Sequence, residues 1–142
     1  MKHKDIVIKY QVVCSLSDPK IIHVSDGYPG GVHDLTIARR SGLVANLARN
    51  NEMCIGDKAY QGPRQFVTPY KSYGNRPLSP QQLEHNRILE SYRNIVERMN
   101  ERLKIWQVNA VRWRHPLEKH VKVFQVSAML TNLILFFHPL NL

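Results

Sequence analysis

At 142 residues the chain is long enough to bury one hydrophobic core but not two, and its 43% hydrophobic and 22% charged residues are typical of a globular protein. Two cysteines are too few for a disulfide framework or a zinc site, and the N-terminus lacks the apolar stretch of a signal peptide, so we expect a protein that is not secreted. The net charge of +9 is unusual and indicates an anionic partner, for which nucleic acid is the commonest choice.

The positive charge is concentrated in one part of the chain. Residues 1–57 contain 7 Lys and Arg against 6 Asp and Glu, residues 58–122 contain 13 against 5, and residues 123–142 contain none. The middle segment alone therefore has a balance of +8, since 13 minus 5 is 8. A basic surface with no role in nucleic-acid binding is the alternative interpretation.

The N-terminal half has the pattern of short strands and one short helix. β-Branched and aromatic residues predict a strand over 6–14 and a second over 20–24, joined as a hairpin. Glycine-rich residues 25–31 predict a loop. Asp34 is expected to be the N-cap of a helix from Leu35 to about Arg40.

Two more strands and two long helices follow. Residues 52–56 predict a short buried strand ending at Asp57, and residues 65–70 predict another, which Pro69 restricts to a sheet edge or a strand end. After a loop over 71–80, an apolar stripe predicts a helix over 81–106, formed by Leu89, Tyr92, Val96, Met99, Leu103 and Trp106. The last helix, from about Leu117 to Phe137, is expected to be a buried core helix, because polar residues interrupt it, and not a membrane segment.

Asp57 and Glu97 are the candidate catalytic residues. Asp57 follows a predicted buried strand, and the ends of such strands are where α/β sheets place functional side chains. Glu97 follows Val96 and is expected to border the buried face of the long helix. Each has a simpler interpretation: Asp57 as a turn residue, and Glu97 as the partner of Arg93 in an ion pair on a solvated helix.

Five short motifs, in order from about residue 8 to residue 133, resemble the DDE superfamily endonuclease domain of Harbinger-like transposases. The first is the Pro-Gly-Gly-Val-His-Asp segment that ends at Asp34. The second is Gly-Asp-Lys-Ala-Tyr around Asp57, in which Ala59 replaces the usual glycine. The others are Val67-Thr68-Pro69-Tyr70, the helix from Arg93 through Glu97 to Lys104, and Asn132 near the end of the last helix.

The resemblance implies a ribonuclease H-like α/β fold and a divalent-metal-dependent nuclease that cleaves DNA and transfers its strands. Asp57 and Glu97 would be catalytic ligands to Mg²⁺ or Mn²⁺, since both ions prefer oxygen ligands. Lys58, Arg93 and Lys104 would neutralise phosphate charge. Asp34 could assist the site, although a helix cap explains it equally well.

The family uses three acids, and the strand that bears the first would precede the predicted hairpin. The sequence therefore predicts a single, N-terminally truncated domain over 1–142, with the first central strand missing and sheet edges open to self-association. Asp26 follows a strand-like segment but lies after the hairpin, so it is assigned to a turn.

Three functions remain open: a DDE nuclease domain, a non-catalytic basic module that binds nucleic acid, and an interaction remnant with neither activity. The partners expected are DNA and, because no DNA-reading motif is visible, a separate DNA-binding protein or an upstream region. No membrane partner is expected. The location would be the nucleus in a eukaryote and the cytoplasm otherwise.

Overall fold

The computed structural model describes residues 7–140 and shows a mixed α/β chain with small sheets and long helices. It consists of two compact units, the first formed by Met1–Val32 with Ile95–Leu142 and the second by His33–Asn94. The elements are, in chain order, β1 (Ile8–Lys9), β2 (Val12–Cys14), β3 (Ile21–Val24), β4 (Tyr28–Pro29), α1 (Asp34–Arg40), α2 (Leu43–Asn50), β5 (Cys54–Ile55), a 3₁₀ turn (Lys58–Tyr60), β6 (Phe66–Val67), α3 (Pro80–Lys104), α4 (Gln107–Ala110) and α5 (Leu117–Phe137). The mixed α/β class is as predicted, while a single domain over 1–142 stays a prediction.

Two antiparallel strand pairs lie in the first unit. β1 pairs with β4, and β2 pairs with β3 in the predicted hairpin. The strand predicted over 6–14 is interrupted between β1 and β2, and Ile6 at its start lies outside the described residues. At the interruption the backbone N–H of Gln11 donates to the Ser25 hydroxyl at 2.8 Å, so a side chain takes the place of a strand partner.

The core of the first unit forms where β3, α3 and α5 meet. Its buried side chains are Ile21, Met99, Leu103, Ala128 and Leu135. Burying an aliphatic side chain of this size stabilises a fold by about 1.5–3 kcal/mol relative to leaving it exposed. The three elements are therefore held together chiefly by apolar contact.

Asn132 adds a polar tie between α5 and the hairpin. Its Oδ1 atom accepts a hydrogen bond from the backbone N–H of Ile21, and its Nδ2 atom donates to the Ile21 carbonyl, both at 2.8 Å. The side-chain amide thus pairs with the backbone as a neighbouring strand residue would. It satisfies two polar groups of a residue that is only 7% exposed.

An aromatic cluster extends the first unit beside this core. The Tyr10 ring stacks on Phe124 with centroids 4.0 Å apart, and the Tyr10 hydroxyl forms a 2.7 Å hydrogen bond with Nδ1 of His120. Trp113 packs edge-on against the His120 ring at 4.7 Å. Burial lowers the pKa of His120, so the cluster favours a neutral imidazole.

α3 is close to the helix predicted over 81–106, but it ends at Lys104. Trp106 has an extended backbone and is the N-cap of α4, so it cannot continue the helix. Its indole N–H donates to the Thr131 hydroxyl at 3.0 Å, which holds the ring against α5. Trp106 is therefore half-buried against α5 from outside the helix that was predicted to contain it.

α5 has the predicted bounds, but the prediction of a buried core helix is right for only one of its faces. The other face exposes apolar side chains: Val126 at 53%, Met129 at 71%, Leu133 at 55% and Phe136 at 80%. Within residues 7–140, α5 is long and apolar enough to cross a membrane by length and composition, a criterion that core helices of soluble proteins also meet.

The second unit joins a helix pair to a small parallel sheet. Ile37 and Ala38 of α1 are fully buried, and α1 packs on α2. β5 and β6 run parallel, with Cys54 opposite Phe66 and one further residue pair beyond it. Both strands are two residues long, shorter than the five and six residues predicted.

Candidate functional site

Asp57 lies just beyond the carboxyl end of the parallel β5–β6 pair. The ladder continues one residue past β5, because the backbone N–H of Gly56 donates to the Val67 carbonyl at 3.0 Å. The chain then leaves the sheet at Asp57. Since parallel strands end at the same edge, residues after β5 and residues after β6 share this edge of the sheet.

The Asp57 carboxylate is exposed and has a structural bond of its own. Asp57 is the N-cap of the 3₁₀ turn, and its Oδ1 atom accepts a hydrogen bond from the Ala59 N–H at 2.8 Å. The strand before it is half-buried, so the prediction of a buried strand was wrong. The turn-residue interpretation and the functional one are compatible, because the cap uses one carboxylate oxygen and leaves the second available to a ligand.

Gly56 is required by the packing directly before Asp57. A Cβ atom at this position would lie 2.9 Å from the Cβ, Cγ and Cδ2 atoms of Tyr60, well inside van der Waals contact. Tyr60 in turn stacks on Phe66 with ring centroids 4.9 Å apart, and Phe66 is buried. Glycine at position 56 thus lets Tyr60 of the 3₁₀ turn pack closely beside the strand that precedes Asp57.

Asp34 is not the N-cap of α1, so that prediction was wrong by one residue. The cap is His33, whose Nδ1 atom accepts a hydrogen bond from the Leu35 N–H at 3.3 Å. Asp34 is the first residue of the helix, where a negative charge interacts favourably with the helix dipole. Because α1 packs against the 3₁₀ turn, Asp34 and Asp57 lie on contacting elements of the second unit.

Glu97 belongs to the first unit, where the buried stripe of α3 differs from the prediction. Ile95 is 8% exposed, whereas Val96 is 37% exposed. At about 100° per residue, Glu97 lies about 200° around the helix from Ile95. Glu97 is exposed and does not border the buried face, contrary to expectation.

The basic candidates are exposed side chains. Lys58 begins the 3₁₀ turn, and Lys104 is the last residue of α3. The guanidinium of Arg93 lies 3.9 Å from the Glu90 carboxylate on the same helix. Of the candidates, Asp34, Asp57, Lys58 and Arg93 belong to the second unit, and Glu97 and Lys104 to the first.

The potential metal ligands within residues 7–140 are not clustered. That region contains no group of three or more His, Cys, Asp or Glu side chains that could hold an ion. Asp26 is exposed in the loop between β3 and β4. The donor chemistry of Asp57, an exposed carboxylate with one oxygen outside the cap, fits the oxygen preference of Mg²⁺ and Mn²⁺.

A cleft that the sequence did not suggest lies after β6. It is lined by Gln61, Phe66, Val67, Thr68, Pro69, Tyr70, Lys71, Tyr73, Gln82 and His85 and has a volume of about 550 Å³. A signal for it was present in Tyr70-Lys71-Ser72-Tyr73, where two tyrosines flank a lysine, although Tyr70 was assigned to the end of a predicted strand and the following residues to a loop.

Comparison with known proteins identifies the family of the chain. The model of the DDE superfamily endonuclease family matches residues 1–132. A probable transposase for insertion sequence element IS702 from Microchaete diplosiphon is 34% identical over 115 residues, which cover 76% of this chain and 40% of that protein. The chain therefore spans less than half the length of this relative, and no solved structure matches it. By the family match, the chain belongs to the DDE superfamily endonucleases, a transposase-type nuclease family.

Proposed function

We propose that this chain supplies part of a transposase nuclease centre that cuts DNA and transfers its strands with the help of divalent metal. The observation that carries the proposal is the exposed Asp57 carboxylate at the carboxyl edge of the parallel β5–β6 pair. This is the edge at which α/β sheets place reacting groups. A ribonuclease H-like sheet and a Harbinger-like subfamily are parts of the same proposal.

Asp57 and Glu97 are the proposed metal ligands. Two bound Mg²⁺ or Mn²⁺ ions would supply the chemistry, one by activating the attacking water or 3′-hydroxyl and the other by stabilising the leaving oxygen. The role of the protein is to supply carboxylate oxygens that are able to coordinate the ions. Asp57 is well suited to this role, because the Ala59 N–H orients the carboxylate through Oδ1 alone.

The proposed substrate is DNA. Residues 58–122 have a net charge of +8, and neutralising phosphates with such a surface releases counterions and drives binding. Lys58 directly follows Asp57, so a phosphate near that carboxylate would meet a compensating ammonium group. Arg93 and Lys104 are proposed to extend the same neutralisation along α3.

The test measures Mn²⁺ binding and metal-dependent nicking of plasmid DNA by the purified chain. Asp57→Asn keeps the size of the side chain and the cap acceptor but removes the charge, so Mn²⁺ affinity should fall at least about tenfold, which corresponds to about 1.4 kcal/mol. Glu97→Gln should have a similar effect. Asp26→Asn, which changes an exposed carboxylate in a loop, is the matched control and should leave binding unchanged.

A second function is favoured by one observation, the uneven charge. If residues 58–122 act only as a basic surface, DNA binding will be strongly salt-dependent, without nicking, and insensitive to Asp57→Asn. That result would replace the nuclease proposal with a non-catalytic binding module. A chain that binds no DNA even at low salt would leave only an interaction role.

A further inference from the structure

We propose that the cleft after β6 binds an unpaired base of a DNA strand by stacking it on Tyr70 or Tyr73. The cleft lies within the second unit, between the segment that leaves β6 and the first turns of α3. It is open to solvent and has a volume of about 550 Å³. The proposal rests on the proposed function for its substrate, DNA. It adds a contact with DNA that requires neither Asp57 nor Glu97.

The walls of the cleft are held in place by hydrogen bonds. The Tyr70 N–H donates to Oδ1 of Asn86 at 2.8 Å, and Nδ2 of Asn86 donates to the Tyr70 carbonyl at 3.0 Å, so the segment is fixed to α3. At the start of α3, the Gln82 N–H donates to the Ser79 hydroxyl and the Ser79 N–H donates to Oε1 of Gln82. This reciprocal cap fixes the helix turn that lines the cleft.

A tight turn positions the second tyrosine. Tyr73 and Arg76 form an antiparallel bridge across Gly74, which has a positive φ of 56°. Glycine adopts this left-handed conformation without the steric cost that a side chain would impose. Tyr73 is thereby held on a formed turn.

The two tyrosines offer aromatic surface to solvent. Tyr70 is 47% exposed and Tyr73 is 66% exposed, and the Tyr70 ring packs edge-on against His85 at 4.9 Å. The Lys71 ammonium lies 5.6 Å from the centroid of the Tyr73 ring, so positive charge and aromatic surface are adjacent. Exposed aromatic rings next to a cation are what proteins use to stack bases and hold the phosphates between them.

Lys71 lines the cleft, and the chain segment that forms it is basic, which suits the phosphates of a nucleic-acid strand. Residues 58–80 contain four basic residues and no acidic one, and the basic ones are Lys58, Arg64, Lys71 and Arg76. The nearest following acid, Glu84, is engaged by Arg87 at 2.9 Å. A backbone of phosphates can meet several of these charges while one base enters the cleft.

The sheet topology relates the cleft to Asp57. β5 and β6 are parallel, so Asp57 after β5 and Tyr70 after β6 both follow the carboxyl ends of paired strands. A strand of DNA that presents a phosphate to Asp57 can therefore place a nearby nucleotide at the cleft. Stacking requires an unpaired base, because the ring faces of a base are covered inside a duplex.

The experiment compares a short single-stranded oligonucleotide containing 2-aminopurine with a duplex of the same sequence, using the purified chain without divalent metal. Binding should quench 2-aminopurine in the single strand, because its emission falls when it stacks. At least one of the variants Tyr70→Ala and Tyr73→Ala should weaken single-strand binding by about 5- to 150-fold, the range expected for one stacked base. Tyr73→Phe should bind like the wild type.

The controls separate stacking from general effects. Tyr92→Ala removes a tyrosine of α3 that is 38% exposed and outside the cleft, so it should change neither affinity nor quenching. Lys71→Gln should reduce the slope of log K against log salt by about 0.7 for the single strand.

Three results would overturn the inference: no 2-aminopurine quenching, equal losses on single strand and duplex, or a loss with Tyr92→Ala as large as with Tyr73→Ala. Intact binding of duplex and single strand by both cleft variants would refute the stacking site while leaving the proposed nuclease function standing. Absence of all DNA binding by the wild type would instead refute the proposed function itself.

Discussion

Replacing Asn132 with leucine should remove a large share of the stability of the first unit. The substitution leaves the N–H and the carbonyl of Ile21 without their 2.8 Å partners, on a residue that is 7% exposed. An unsatisfied buried polar group costs about 1–3 kcal/mol, so the expected loss for two such groups is about 2–6 kcal/mol. That is a substantial part of the 5–15 kcal/mol by which a domain is typically stable.

Urea unfolding followed by tryptophan fluorescence is a suitable assay, because Trp106 and Trp113 both lie in the first unit. Asn109→Ala is the matched control. The Nδ2 atom of Asn109 makes one 3.0 Å hydrogen bond to the Leu103 carbonyl, while its buried Oδ1 has no hydrogen-bond partner among the described residues. Its removal should therefore cost less than about 1.5 kcal/mol. If Asn132→Leu costs no more than Asn109→Ala, the bonds to Ile21 do not stabilise the fold as argued.

Two further predictions concern packing and pH. Gly56→Ala should destabilise the second unit by about 1–3 kcal/mol, because the added methyl group would clash with Tyr60. Gly31→Ala, which adds a methyl group in open space, should leave the melting temperature unchanged. Equal melting temperatures for the two variants would contradict this prediction. The pKa of His120 is lowered in the folded state, so the unfolded state binds more protons, and stability present above about pH 6.5 is lost as pH falls toward the folded pKa. Urea midpoints should fall between about pH 7.5 and pH 5.5, and they should fall less steeply in His120→Gln. The free energy of unfolding of the two proteins should differ in slope by at most about 1.4 kcal/mol per pH unit, the limit for one titrating group. Identical slopes would exclude His120 as a cause.

Elements with a strong local signal were predictable from the sequence. α5 has the predicted bounds because a run of apolar residues without an internal glycine or proline favours one continuous helix. The β2–β3 hairpin was recognisable from a turn sequence between two strand-like segments. In both cases the residues that determine the structure are neighbours in sequence.

Features that depend on distant residues were not predictable. The break after β1 coincides with a bond to the Ser25 hydroxyl, 14 residues from Gln11. The buried stripe of α3 passes through Ile95 and leaves Val96 exposed, a shift that helical periodicity alone cannot distinguish because both are apolar. Which of the two residues is buried depends on the elements that pack against the helix.

The candidate site was predictable in part. The position of Asp57 after a strand followed from the Gly-Asp pair, but its bond to Ala59 and the contact between Gly56 and Tyr60 required coordinates. The cleft was missed because its formation depends on the pairing of Asn86 with Tyr70, 16 residues earlier. Composition showed the positive charge but not which aromatic rings accompany it.

The discontinuous first unit has a consequence for the order of folding. Its core joins Ile21 to Leu135, and Asn132 bonds to Ile21 across 111 residues, whereas the second unit is the continuous stretch His33–Asn94. Long-range contacts form late, because the entropy of loop closure must be paid first. During synthesis, the second unit can collapse while α5 has not yet been made, and the hairpin must wait for it. Until then the apolar face of the hairpin is exposed, so the period before α5 arrives is when the chain most needs protection from aggregation.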